Sequence, residues 1–293
     1  AAPFGRAALA DRLTVSIAST LSIARSALTT HQRALDVTGH NIANAATPGY
    51  TRQRLEIVPH TPFRTPLGTM GRGVTDLGVV ALRDVFLDGA VRRESSVSSG
   101  AATLRDQLAR LEGVFGEPSD TGLGATLDRF FNAWSDLAND HASGAARTAV
   151  QQAGNYLANQ FSTIADRIDA VDQDARAQVR GTVEEINSLT QRIAELNRKI
   201  PSAGGPNRSA PDLEDERGRL LDQLATLIDV RVLERADGTV GVVAAGTLLV
   251  DGPITQQLET RGLPGGGLGV AVVGTAQALK PQGGTIAGLV EVT

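Results

Sequence analysis

The stretch that decides the fold is Asn41-Ile42-Ala43-Asn44-Ala45-Ala46-Thr47-Pro48-Gly49-Tyr50-Thr51-Arg52-Gln53. Proline cannot continue a helical hydrogen-bond ladder, and glycine supplies the positive φ of a type II turn, so Thr47-Pro48-Gly49-Tyr50 stops whatever helix precedes it. That helix carries Ile17, Leu21, Ala24, Leu28, Leu35 and Ile42, in steps of four and three once His31 and Thr38 fill the gaps. Such spacing is a coiled-coil seam, which needs another helix to cover it. After the turn, Tyr50 to Val58 alternates and reads as a strand or extended arm; Pro62, Pro66, Gly68, Gly71 and Gly73 make the next segment a loop. A sticky helix, a fixed turn and an extended run point to assembly rather than catalysis.

Further along the chain, a second helix begins near Leu82, with a seam at Val97, Ala101, Leu104, Leu108, Leu111 and Phe115, and ends at Gly116 and Pro118. A shorter helix places Leu127, Phe130, Phe131, Trp134 and Leu137 on one face; Phe130, Phe131 and Trp134 read as a core aromatic anchor. The longest element runs from about Ala145 to Ile200. Its seam keeps heptad phase to Ala175, then steps by fours through Val179 and Val183, a stutter that turns the stripe toward a new partner. At 1.5 Å per residue this helix is about 80 Å long, which makes the molecule a rod. Pro201 to Pro206 reads as a loop, and the sequon Asn207-Arg208-Ser209 inside it as chance. Asp212 is expected to cap a further helix through Ile228. From Asp229 the pattern changes to short strands: Val230 to Glu234, a turn at Ala236-Asp237-Gly238, Thr239 to Val243, Thr247 to Val250, and a Gly/Val-rich segment to Gly274.

The fold expected is mainly α, an elongated rod of long antiparallel helices with coiled-coil-like packing, plus a small β-rich lobe toward the C-terminal end. The divisions are an extension over 1–13, an axial helix over 14–48, an arm and loop over 49–80, the rod over 81–229 and the start of a β-rich domain over 230–293.

Composition limits the chemistry. The 293 residues are 41% hydrophobic but only 3% aromatic, which suits packed helices better than a pocketed enzyme, and a net charge of −4 argues against nucleic acid as a partner. With no cysteine there are no disulfides, thiolate metal sites or cysteine nucleophiles. His31, His40, His60 and His141 lie too far apart for a helical metal pair, and neither Lys199 nor Lys280 follows a phosphate-binding turn. Glu214-Asp215-Glu216 suits the first turn of a helix and nothing more. No run reaches the ~18 apolar residues of a membrane span, and Ala1 to Leu13 lacks the apolar core of a cleaved signal peptide. The expectation is no enzyme, no cofactor, no metal, no membrane and no nucleic acid.

Asn41 to Tyr50, with Asn44, Thr47, Pro48 and Gly49 as its turn, resembles the N-terminal signature of bacterial flagellar axial proteins. Phe130-Phe131-Asn132-Ala133-Trp134-Ser135-Asp136-Leu137-Ala138, Ile186-Asn187-Ser188-Leu189, Ile193-Ala194-Glu195-Leu196-Asn197, Arg219-Leu220-Leu221-Asp222-Gln223-Leu224, Ile228-Asp229-Val230-Arg231-Val232 and Asp237-Gly238-Thr239-Val240 follow in the order of one branch. From about Ser16 to the end, the chain is similar to the flagellar hook-associated protein 1 family, the hook–filament junction proteins. The resemblance implies a structural subunit that leaves the cell through the flagellar export channel, without a cleaved signal and with an export chaperone. It implies helical assembly with copies of itself, the hook protein, and a second hook-associated protein or flagellin. It also implies that the family's C-terminal helices are absent here, which leaves the Ile17–Ile42 seam uncovered and the chain unable to build a junction alone. The rivals are a hook or rod subunit, against which the long helix speaks, and a coiled-coil binding or adhesin fragment, which has no need of the Pro48-Gly49 turn.

Overall fold

A computed structural model describes residues 5–65, 68–117, 119–204 and 210–293. Pro66, Pro118 and the sequon at 207–209 lie outside them. Helix α1 runs unbroken over Gly5–Ala43, across the boundary expected at residue 13. The Pro48-Gly49 turn forms as expected: the Tyr50 amide donates to the Thr47 carbonyl at 3.2 Å, and Gly49 sits at φ +74°.

The arm is more ordered than its glycines and prolines suggest. Strand β1 (Gln53–Pro59) pairs antiparallel with β4 (Val74–Ala81), and a small hairpin of β2 (Phe63–Thr65) and β3 (Gly68–Met70) joins them. The expected loop is therefore a ribbon on which α1 lies, with Thr30 buried and Ala34, Val37 and Asn41 half-buried on the covered side.

Asp84 caps α2 (Val85–Phe115), accepting from the Phe86 and Leu87 amides at 3.0 and 3.1 Å, and Gly116 closes it in the left-handed conformation. Its buried face is not the expected aliphatic seam. Val97, Ala101, Leu108 and Phe115 are exposed, and the buried residues are Arg92, Ser96, Gly100, Gln107 and Val114. The reason is a close backbone approach. The short helix α6 (Gly284–Val290) lies on α2 so tightly that a Cβ on Gly288 would come 2.5 Å from the Gly100 carbonyl oxygen. Only small residues permit that contact. Polar pairs complete it: Arg92 Nε to Asp222 at 2.7 Å and Gln107 Nε2 to the Gln178 side-chain oxygen at 3.1 Å.

Helix α3 (Leu123–Asn139) packs on the first half of α4 (Gly144–Gly204), a single 61-residue helix as its periodicity requires. Pro201 does not end α4; it sits within the last turn. From the start of the stutter onward α4 is buried at Ala175, Val179, Val183, Ile186, Leu189, Ile193, Leu196 and Ile200. Before it, Phe161 and Ile168 remain exposed and Ile164 alone of the early seam is buried. Helix α5 (Pro211–Leu227) starts with Pro211 at its first turn and Ala210 as cap. Asp212 does not cap it, because its carboxylate is turned to the arm instead.

The lobe holds a four-stranded antiparallel meander, β5 (Val230–Glu234), β6 (Val240–Ala244), β7 (Thr247–Asp251) and β8 (Ile254–Thr255). A second sheet orders β11 (Ala278–Leu279), β10 (Leu268–Val272) and β9 (Leu258–Gly262). The turn at Asp237-Gly238 forms as read, with Gly238 at φ +80°. One apolar core joins rod and lobe, including Ile186 and Ile193 of α4, Leu224 and Ile228 at α5, Val242, Val250 and Val270 of the sheets, and Ile286 and Leu289 of α6.

Candidate assembly interface

The signature residues build a joint. The Asn41 side chain, on the last turn of α1, reads both backbone groups of Gln53: Nδ2 donates to the Gln53 carbonyl and Oδ1 accepts from the Gln53 amide, each at 2.8 Å. The Tyr50 hydroxyl donates to the same Oδ1 at 2.8 Å. Burial, with Asp212 and Asp215 nearby, pushes the Tyr50 phenol up from its ordinary value. Asn44 donates back to the His40 carbonyl at 3.0 Å and accepts from Thr47 Oγ1 at 3.3 Å. The His40 ring meets Tyr50 edge-on at 5.6 Å.

Helix α5 receives this joint through its first turns. Asp215, almost fully buried, accepts from the Thr51 amide at 2.8 Å, and Asp212 accepts from Gln53 Nε2 at 2.8 Å. Arg83 bridges Asp88 at 2.6 Å and the Glu214 carbonyl at 3.2 Å. Gly49 crosses directly over Arg219: a Cβ there would lie 2.4 Å from its Cγ. The signature thus binds α1, the arm and the rod together. The sequence reading missed Asp212, Asp215, Arg83 and Arg219 as its partners, since they lie more than 30 residues away and no local pattern marks them. An open cavity of about 550 Å³ beside the joint is lined by Arg33, Asp36, Gln53, Asp76 and Asp212, with Arg33 paired to Asp76 at 2.6 Å.

The expected axial seam is uncovered throughout. Ile17, Leu21, Ala24, Leu28, Leu35 and Ile42 are all exposed, Leu35 and Ile42 by 71% and 73%. They form the side of α1 opposite the face laid on β1 and β4. The aromatic anchor departs from its expected place. Phe130 is half-buried against Gly154, but Phe131 and Trp134 are 63% and 49% exposed, because α3 has α4 alone as a substantial helical neighbour and two helices cannot enclose three large rings. Both rings pack edge-on against Phe130, with centroids 5.5 and 6.3 Å away.

Among the described residues no group of histidine, cysteine or carboxylate side chains is placed to hold a metal ion, and no helix is long and apolar enough to cross a membrane.

Residues 108–293, more than half of the chain, match the family model of the flagellar hook-associated protein FlgK helical domain. The chain belongs to that family. Residues 21–51, which hold the end of α1 and the signature turn, match a second family model, the flagella basal body rod protein. Flagellar hook-associated protein 1 of Bacillus subtilis is 33% identical over 239 residues, covering 79% of this chain and 47% of the relative. Its counterpart in Salmonella typhimurium is 29% identical over 245 residues, covering 83% of this chain and 44% of the relative. The chain therefore spans about half the length of these relatives. Among solved structures, the flagellar hook junction protein FlgK from Burkholderia pseudomallei superposes with a TM-score of 0.61 at 28% identity, over 70% of this chain and 38% of that one. The family places the chain among structural proteins of the flagellum.

Proposed function

We propose that this chain is a structural subunit of the bacterial flagellum that joins hook to filament by helical self-assembly. The observation that carries the reading is the two-sided nature of α1. One side is fixed to the arm and, through Asn41 and Gln53, to the rod, while the other presents to solvent an aliphatic stripe interrupted at His31 and Thr38. An exposed apolar stripe of this kind on a folded protein marks a surface meant for another helix. Its partners are copies of itself, the hook protein, and a second hook-associated protein or flagellin. Export occurs through the flagellar channel, aided by a chaperone and without a cleaved signal.

The test is Leu28→Glu with Leu35→Glu, introduced into the protein in its own cells. Both side chains are exposed, so the fold should hold and its unfolding free energy should stay within about 0.5 kcal/mol of the parent. Electron micrographs should show hooks bare of filament, and swimming should be lost. Normal filament numbers and normal swimming would exclude the stripe as the assembling surface.

A further inference from the structure

We propose that the exposed stripe of α1 pairs antiparallel with the same stripe of a second copy. The two chains form a closed dimer that must open before either joins an assembly. The proposal rests on the reading of the stripe given above and names what covers it while the chain is free.

The order of residues along the stripe carries the orientation. Its eight positions form two interleaved series, each with a spacing of one heptad. Leu21, Leu28, Leu35 and Ile42 are all large, whereas Ile17 is followed by Ala24, His31 and Thr38, which are small or polar. Parallel helices set like positions against like, which opposes His31 to His31 and leaves hollow layers at Ala24 and Thr38. Antiparallel helices set one series against the other. With Leu28 across from His31, the other layers are Leu21 with Thr38, Leu35 with Ala24, and Ile42 with Ile17. Every position finds a mate, and every layer holds a large aliphatic group. The polar interruptions thus fall opposite leucines, and a lone polar seam residue of the His31 kind fixes register.

Charge agrees with this register. Arg25 and Asp36 stand on the same flank of the stripe, roughly 90° and 110° from its middle. Neither has an ion-pair partner among the described residues. The pairing brings Arg25 of each copy level with Asp36 of the other, to within about 3 Å along the axis. Arg33, further round the helix, is committed to Asp76.

The stripe is also long and open enough. It covers more than three heptads, and Leu35 and Ile42, nearest the rod, are its most exposed members. Its five large aliphatic residues are 59–73% exposed. That uncovers on the order of 600 Å² per copy, so joining two stripes hides about 1,200 Å², the lower edge of stable specific interfaces. The contact is its own mate under a two-fold axis, so it closes at two copies. A helical array needs open-ended contacts, and the dimer therefore stands outside it, shielding the stripe until another helix displaces the second copy.

The chain has no cysteine, so introduced thiols report single contacts. Ala24→Cys and Leu35→Cys variants are treated with a short bis-maleimide, separately and mixed. The register sets residue 24 of one copy against residue 35 of the other and holds like residues about 16 Å apart. Covalent dimer is expected from the mixture, with at least about tenfold less from either variant alone. Light scattering of the unmodified chain at micromolar concentration should give twice the chain mass. Leu28→Glu, which puts a carboxylate in both central layers, should give the single mass. Circular dichroism checks that all variants are folded, as expected for exposed positions. No product from folded variants, as much product from either variant alone as from the mixture, or a single mass for the unmodified chain would each overturn the dimer. Any of these leaves the flagellar role standing, since the swimming test of the stripe does not depend on it. Normal swimming of the Leu28→Glu, Leu35→Glu protein beside a successful cross-link removes that role and retains the dimer.

Discussion

Asn41, Asn187 and Asn197 solve the same problem three times. Each stands on a helix and must hold an extended backbone whose amide and carbonyl point at it, and a carboxamide offers one donor and one acceptor. Asn187 Nδ2 donates to the Leu258 carbonyl and its Oδ1 accepts from the Leu258 amide, at 2.9 and 2.8 Å. Glycine at position 49 answers a different demand, positive φ combined with the passage over Arg219. Gly49→Ala should destabilise the protein by about 1–3 kcal/mol in urea unfolding. Adding Arg219→Ala should recover the steric part and leave about 1 kcal/mol of backbone strain. A neutral Gly49→Ala would show that the turn relaxes. At Asp229, burial raises the carboxyl above its ordinary value of 3.8 against the hydrogen bond from the Gln282 amide. Between that value and the raised one, the folded chain holds more proton than the unfolded chain, so this group's contribution to stability falls as pH rises. Asp229→Asn keeps the acceptor and should flatten the loss of unfolding midpoint that begins as pH rises past 3.8. An unchanged slope would assign the pH dependence elsewhere.

Among the elements, α4 and the lobe form one unit because polar pins set the register of an otherwise aliphatic contact. Asn197 donates to the Val240 and Gly252 carbonyls at 2.9 and 2.8 Å, accepts from the Val240 amide at 3.1 Å, and takes a further bond from Arg217 at 3.0 Å. Asn197→Ala leaves these groups buried and unpaired, which should cost about 2–4 kcal/mol in urea unfolding. A loss below 1 kcal/mol would mean that water replaces the amide. Legibility in the sequence divides the same way, between local and distant causes. The end of α1, the Pro48-Gly49 turn, the span of α4 and the Asp237-Gly238 hairpin were legible, because each is decided by residues within a few turns or a few positions. Strands β4 and β9, the covered face of α2 and the contacts of Asp212 were not. Each depends on a partner brought from elsewhere in the chain, and Gly100 gives no aliphatic signal of the backbone that lies on it. On α1 the apolar periodicity was legible, and the residues it marks are exposed. Phe131 and Trp134 were placed in a core because periodicity shows which side of a helix is apolar, not whether a neighbour covers it.

Across the full length of the rod, the burial of α4 sets a gradient of stability. From Ala175 to Ile200 it is enclosed by α5, the sheets and α6; from Gly144 to about Ala170 it has α3 as its main support. Local opening follows the number of buried apolar contacts. Amide exchange at neutral pH should therefore be slowest across 175–200 and faster by at least about tenfold across 144–170. Uniform protection along α4 would show that some other chain covers its first half in solution.

The named bonds that tie α1 and its ribbon to α5 run from Thr51 and Gln53 to Asp215 and Asp212, and every one of them is polar. Asp212 is exposed, so water can take over its bond to Gln53, whereas buried Asp215 keeps its bond to Thr51 as a pivot. The limb that ends in α1 can thus tilt by small amounts at modest expense, whereas the rod and lobe cannot separate without opening their shared interior. In the helical assembly proposed above, identical copies that meet at slightly different angles would draw on that latitude.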